Sequence, residues 1–213
     1  MVVSLRQEPA SAARPEEDLV SLVTSRICHD LVSPIGAIDN GVELMAAISG
    51  GSHSAEMGLI GESARAANLK LRMFRIAFGA APEDATTRGA DLRAVFDGAF
   101  NRARLSFEWA DAPDALPRAM AKLSALALLC AEGAMAYGGR LTLHGAGRDL
   151  RVVMAAERYR WQDGLWDALA GRGDFASVTA GEVQFPLARL QAEDMGLRFT
   201  LDRQPGEAVL RAG

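Results

Sequence analysis

The stretch Cys28-His29-Asp30-Leu31-Val32-Ser33-Pro34 decides the reading of this chain, because it sets one histidine inside a long amphipathic pattern, with an acid after it and a proline five residues on. At about 100° per residue, Leu19, Val23, Ile27, Leu31, Ile35, Ile38, Val42 and Met45 fall on one helical stripe, and His29 points away from it. The imidazole is therefore expected to face solvent. Its own face carries Ser25, Ser33, Gly36 and Asn40, small or weakly polar groups that leave room for a bulky partner. Two other readings stand beside a nucleophilic one: a buried, hydrogen-bonded histidine, which the stripe places on the wrong side, and a solvated histidine with no role. The neighbours favour chemistry. Asp30 can contact the imidazole edge or take up a proton. Pro34 removes a backbone donor, frees the carbonyl of Asp30 and loosens the helix one turn beyond His29.

Working outward, residues 1–14 carry no sustained period and read as a mobile tail. Pro15 suits a first helical turn, and Glu16, Glu17 and Asp18 complement the partial positive charge of a helix start. The first helix is expected to run to about Ile48, where Ser49-Gly50-Gly51-Ser52 breaks it. A second helix follows, with Met57, Ile60, Ala64, Ala67, Leu71, Phe74 and Phe78 spaced alternately by three and four, a heptad seam. Two helices with apolar stripes cannot cover each other fully, so pairing with a second copy into a four-helix bundle is expected, and with it a homodimer. The alternative is that the C-terminal region covers the seam within one chain.

Residues 80–89 read as a linker, and a second unit spans 90–213. Asp91 is placed as the cap of a helix to about Phe100, and residues 104–109 alternate like a strand. A largely apolar helix is expected from Pro117 to about Tyr137, ended by Gly138-Gly139. Strands at 141–144 and 150–154 flank a turn at 145–149, and a last helix at 185–193 leads into strands at 197–201 and 208–211. That order indicates an α+β fold with a sandwich-like C-terminal layer.

Composition narrows the function classes. Across 213 residues the net charge is −4, which argues against a nucleic-acid partner. No apolar run approaches the roughly 20 residues that span a bilayer, and the N-terminus lacks a signal-peptide pattern, so no membrane partner and a cytoplasmic location are expected. Cys28 and Cys130 are far apart and form no CxxC spacing, leaving neither a disulfide framework nor a zinc site. Cys28 reads as a small residue at the core edge. His53 and His144 have no acidic or cysteine neighbours at metal-ligand spacing. Trp109, Trp161 and Trp166 are scattered, without the basic interleaving of a base-stacking platform, and are expected in or beside the C-terminal core. The Gly-Arg pairs at 139–140 and 147–148 read as turn residues.

Residues 28–38, Cys-His-Asp-Leu-Val-Ser-Pro-Ile-Gly-Ala-Ile, resemble the phosphoacceptor helix of histidine-kinase dimerisation domains, and more narrowly that of the ChpT-type histidine phosphotransferases. Residues 72–80, Arg-Met-Phe-Arg-Ile-Ala-Phe-Gly-Ala, are similar to the family segment that closes the helical hairpin. The resemblance runs from about residue 18 to the C-terminus. It implies a dimerisation and histidine-phosphotransfer hairpin over residues 15–80, forming a dimeric four-helix bundle, and a degenerate ATPase-like α/β sandwich over 90–213. In kinases the first long helix of that domain supplies an Asn, but residues 126–136 hold Glu132 and no Asn. The DxGxG box is missing from residues 155–164, where Asp163-Gly164 is at most a remnant, and Thr179-Ala-Gly-Glu182 stands where a glycine-rich lid would be. ATP binding is expected to be lost.

The mechanism implied by the resemblance is a phosphorelay. His29, through Nε2, attacks the phosphoaspartate of an upstream receiver domain in a hybrid histidine kinase, and the phosphoryl group then passes to a downstream response regulator. Asp30 is the second catalytic residue, orienting the imidazole or accepting its proton. The chain carries no cofactor or metal of its own, and magnesium belongs to the receiver. Receiver contacts are expected at Arg26, Ser33, Gly36 and Asn40 and, on the second helix, Asn68 and Arg72. A residual kinase or phosphatase and a non-catalytic dimeric scaffold remain as alternatives.

Overall fold

The computed structural model describes residues 15–47, 54–82, 84–101, 103–145, 149–175 and 177–213. The tail at 1–14, the break at 49–52, His53 and the Gly147-Arg148 pair lie outside the described residues. Two long helices, α1 (Pro15–Ala47) and α2 (Ser54–Ala77), pack against each other. A short strand β1 (Thr86–Arg88), helix α3 (Gly89–Phe100) and strand β2 (Leu105–Trp109) follow. Next come β3 (Ala115–Pro117), α4 (Arg118–Ala134), β4 (Gly139–His144) and β5 (Leu150–Ala155). Helix α5 (Asp163–Leu169), a 3-10 turn (Ala180–Glu182), α6 (Gln184–Asp194), β6 (Phe199–Gln204) and β7 (Glu207–Ala212) complete the chain.

The main sheet has the order β2-β4-β5-β7-β6, with β2 and β4 parallel and every other pair antiparallel. Alternation places one face inward, as expected where only one side is covered. A single row across all five strands reads Trp109, Leu143, Val152, Leu210 and Leu201. Its first four members are fully buried under the helical layer, which includes α3 and α4. Strands β1 and β3 form a separate two-stranded ribbon beside α3 and α4. The architecture is α+β, as the order of sequence patterns predicts.

Several boundaries differ from the sequence reading, each for a tertiary reason. Thr86–Arg88 is a strand rather than linker because it pairs with Ala115–Pro117, a partner nearly thirty residues away. Helix α3 starts at Gly89, not under an Asp91 cap: the Gly89 amide donates to the Asp114 carbonyl at 2.8 Å, and Asp91 instead pairs with Arg88. A Cβ at Gly89 would sit 1.7 Å from the Pro113 carbonyl oxygen, so only glycine fits that crossing. Helix α4 ends at Ala134, short of Tyr137, because Gly138 and Gly139 turn the chain with φ of +98° and +135° between Arg104 and Ala155. Helix α5 went unread in the sequence, since its seven residues are too few to show a period.

The heptad seam of α2 splits in two. Ala67 and Phe74 are buried, whereas Met57, Ala64 and Leu71 are exposed. Helix α1 divides likewise: Pro34 and Gly41 are buried, while Cys28, Ile35 and Val42, one position on in each turn pair, face outward. Cys28 is therefore exposed in the single chain, not at the core edge, because it belongs to the outward row. Met73, Ile76 and Ala77 at the end of α2 join the core formed by α3, α4 and the sheet, so α2 is gripped from both sides. Among the described residues, no helix is long and apolar enough to cross a membrane.

Trp109 and Trp166 are core residues and Trp161 is packed against the core. Trp166 meets Trp161 and Phe185 edge-on, at 5.4 and 5.1 Å between ring centroids. Trp166→Ala is expected to cost about 3–5 kcal/mol of stability, the range for truncating a buried aromatic, read as a fall in urea midpoint at unchanged slope.

Candidate functional site

His29 projects from the middle of α1 with 86% of its side chain exposed, as the stripe requires. Adjacent helical residues do not normally face each other, yet the Asp30 carboxylate swings round so that Oδ1 lies 3.1 Å from His29 Nδ1. Because a carboxylate only accepts, this contact assigns the proton to Nδ1 from the hydrogen-bond geometry and leaves the Nε2 lone pair uncommitted on the exposed ring. Asp30 itself is only 17% exposed. Its second oxygen, Oδ2, accepts from Arg26 Nε at 2.9 Å, one helical turn back.

The backbone at Asp30 has an unusual partner. Pro34 lacks the N–H that would close the helical hydrogen bond to the Asp30 carbonyl. Helix α1 nonetheless continues through Pro34, and Lys70 of α2 donates its ammonium to that carbonyl at 3.0 Å. The vacancy that proline creates in α1 thus becomes a cross-link to α2. Sequence reasoning found the freed carbonyl but not Lys70, because nothing local states which side chain of α2 lies opposite.

Arg26 does not stand on the exposed strip with His29. Its Nη1 donates to the Gly181 carbonyl at 2.6 Å, across 155 residues of sequence. The 3-10 turn that carries Gly181 is held by a reciprocal capping box: the Glu182 carboxylate accepts from the Thr179 amide at 3.0 Å and its hydroxyl at 2.9 Å. Gln162 donates to the other Glu182 oxygen, and the buried Gln184 donates to the Gly181 carbonyl at 3.0 Å. The Thr-x-x-Glu spacing at 179–182 was a legible signal for this turn. Arg26, Asp30, Lys70 and Gly181 also border a cleft of about 680 Å³ between the long helices and α3–α4.

The other singled-out residues lie more openly. Ser33 and Asn40 on α1 and Asn68 and Arg72 on α2 are exposed, and a Cβ at Gly36 would meet nothing within 4 Å. Arg72 borders a groove with Val23, Ile27 and Leu71. No hydrogen bond or ion pair joins these five to His29 among the described residues.

Residues 89–207 match the model of the histidine phosphotransferase C-terminal domain. The chain belongs to that family. Over 200 residues it is 34% identical to protein phosphotransferase ChpT of Brucella abortus (strain 2308), covering 92% of this chain and 95% of the relative. A solved structure of a bacterial phosphotransferase at 1.7 Å superposes with a TM-score of 0.78 at 32% identity, covering 97% of this chain and 98% of that one. The likeness therefore includes the two long helices as well as the C-terminal part. This is a ChpT-type histidine phosphotransferase, a component of a phosphorelay.

The turn beside Arg26 has its own titration behaviour. Partial burial pushes the Glu182 carboxyl up, but hydrogen bonds from Thr179 and Gln162 and the nearby Arg160 charge outweigh it and hold the group below the usual carboxylate range. A carboxyl lowered in the folded state stabilises above its unfolded pKa, near 4.3, and loses that contribution as pH falls through the folded value. Glu182→Gln is accordingly expected to be less stable than the wild type at pH 7, with the gap between the two denaturation midpoints narrowing at pH 3.

Proposed function

We propose that this phosphotransferase accepts a phosphoryl group on His29 from the phosphoaspartate of a receiver domain in a hybrid histidine kinase and passes it to the receiver of a response regulator. The observation that carries this reading is the exposed imidazole with Nδ1 tied to Asp30 and Nε2 free. The Nε2 lone pair attacks phosphorus; the P–N bond forms as the bond to the aspartate oxygen breaks, and the electron pair leaves with the receiver carboxylate. The proton stays on Nδ1, where Asp30 faces the positive charge that the ring gains. The return step to the second receiver reverses these events. Magnesium and the groups that bind the transferring oxygens come from the receiver, so this chain contributes position and a nucleophile.

Ser33, Gly36, Asn40, Asn68 and Arg72 are proposed as receiver contacts, since each is exposed or has open space beside α1 and α2. Arg26 belongs to the same surface in sequence, but its guanidinium is occupied within the chain. Autophosphorylation from ATP is not expected. The segment 155–164, where a kinase carries its adenine box, is given over to an aromatic stack: Tyr159 lies on Trp161 at 4.9 Å, and Trp161 abuts Trp166. The proposed setting is cytoplasmic.

A homodimer built on a four-helix bundle completes the reading. Ile35 and Val42 on α1 and Met57 and Leu71 on α2 are each half exposed, and they recur at heptad spacings. Four large apolar side chains in register call for a partner of the same pattern. Ile35→Glu with Leu71→Glu should convert a species of twice 22.7 kDa into a monomer in sedimentation analysis, with the C-terminal core intact by tryptophan fluorescence.

Transfer itself is tested by mixing the protein with radiolabelled ATP alone or with a phosphorylated receiver. Acid-labile label is expected only from the receiver, and none on His29→Gln. Label from ATP alone would identify a kinase, and retained label on His29→Gln would move the phosphoacceptor elsewhere.

A further inference from the structure

A continuous chain of hydrogen bonds runs from the 3-10 turn to the imidazole. The Gly181 carbonyl accepts from Arg26 Nη1, Arg26 Nε donates to Asp30 Oδ2, and Asp30 Oδ1 accepts from His29 Nδ1. We infer that Arg26 is a positioning residue for phosphoryl transfer, strapping the C-terminal 3-10 turn to the Asp30 carboxylate that sets the tautomer and aim of His29. The inference rests on the reading that His29 carries the phosphoryl group.

The strap answers a physical problem. An imidazole this exposed has nothing packed around it and is free to change rotamer and tautomer unless Nδ1 is held. Asp30, adjacent on the helix, is badly placed to hold it, because neighbouring residues diverge by about 100°. Arg26 lies one turn back on the same face as Asp30 and can draw the carboxylate into position. An arginine left to itself would lose rotamer entropy to stay there. Fixing its other end on Gly181 supplies the restraint. The anchor is itself rigid, since Gly181 lies inside the Thr179–Glu182 box, and the buried Gln184 shares its carbonyl.

Arginine suits the role and lysine does not. The guanidinium presents Nε and Nη1 in a fixed planar fork, so one side chain serves a carboxylate and a backbone carbonyl in different directions. A lysine at 26 keeps the charge but concentrates its donors at a single nitrogen. The turn sits where a kinase would carry its nucleotide lid, so the strap gives this segment a use that needs no nucleotide.

The test uses the full chain as wild type, Arg26→Ala, Arg26→Lys and Glu182→Ala, with a phosphorylated receiver as donor. Two readouts separate positioning from mere structure: the transfer rate resolved into its saturating value and the half-saturating receiver concentration, and the nitrogen NMR spectrum of the His29 ring. Arg26→Ala is expected to lower the saturating rate roughly ten- to a hundredfold, the scale of a small misplacement of a reacting group, with the half-saturating concentration little changed. Its His29 spectrum should shift from the Nδ1–H tautomer toward Nε2–H, with no rescue in Arg26→Lys. Glu182→Ala, which loosens the far anchor, should move the tautomer the same way. A wild-type rate and tautomer in Arg26→Ala would overturn the inference, as would full rescue by lysine or a loss confined to the half-saturating concentration. If the wild type takes no label from any receiver, the assignment of His29 fails, while the tautomer measurements still decide whether the strap exists.

Discussion

Helix α2 carries two packings at once, and the molecule is organised around that double demand. A helix with a single apolar stripe can bury it against one neighbour. In α2 the Ala67 and Phe74 row turns inward, and Met73, Ile76 and Ala77 continue into the core under the sheet. The polar flank of the same helix sends Lys70 to the Asp30 carbonyl. Through α2, helix α1 is therefore registered against the C-terminal part by both apolar contact and a charged hydrogen bond. Gly98 on α3 shows how close this packing is: a Cβ there would fall 2.7 Å from a methyl of Leu69.

Asp30 is where the local constraints meet. Its carboxylate divides between His29 and Arg26, and its carbonyl, deprived of a helical partner by Pro34, is taken by Lys70. A proline in mid-helix ordinarily costs about 3 kcal/mol through a lost hydrogen bond and a ring clash. Here part of that loss is offset by a charged donor from the neighbouring helix, which contributes more than a neutral amide would. The arrangement leaves the acid fixed through both its carboxylate and its carbonyl, and the imidazole held at one nitrogen only.

The C-terminal part holds the segment after β5 with side chains. An aromatic stack from Tyr159 through Trp161 and Trp166 to Phe185 occupies the region between β5, α5 and α6. The Tyr159 hydroxyl ties that segment to the Met154 carbonyl at 2.8 Å. Arg203 lies over the Trp161 ring at 4.1 Å and reaches Asp163. The segment is thus held by side chains, and the short turn at 180–182 is free to engage α1.

Local pattern was enough for much of this. The 3.6-residue stripe put His29 outward, the alternation at 105–109 gave β2, and the glycines at 138–139 ended the long apolar helix. The motif around His29 and the family it belongs to were readable because they are contiguous in sequence. What could not be read were the pairings between distant segments. Strand β1 needs Ala115–Pro117, the start of α3 needs the Asp114 carbonyl, Lys70 needs a vacancy forty residues away, and Arg26 needs Gly181. Periodicity says which face of an element is apolar, and so it fixed the long helices, the strands of the main sheet and the exposed histidine, but not the short α5, β1 or β3. It does not say how that face is divided among partners, so the splitting of the seam and the turning of Arg26 from the surface to the strap were decided only when the elements packed.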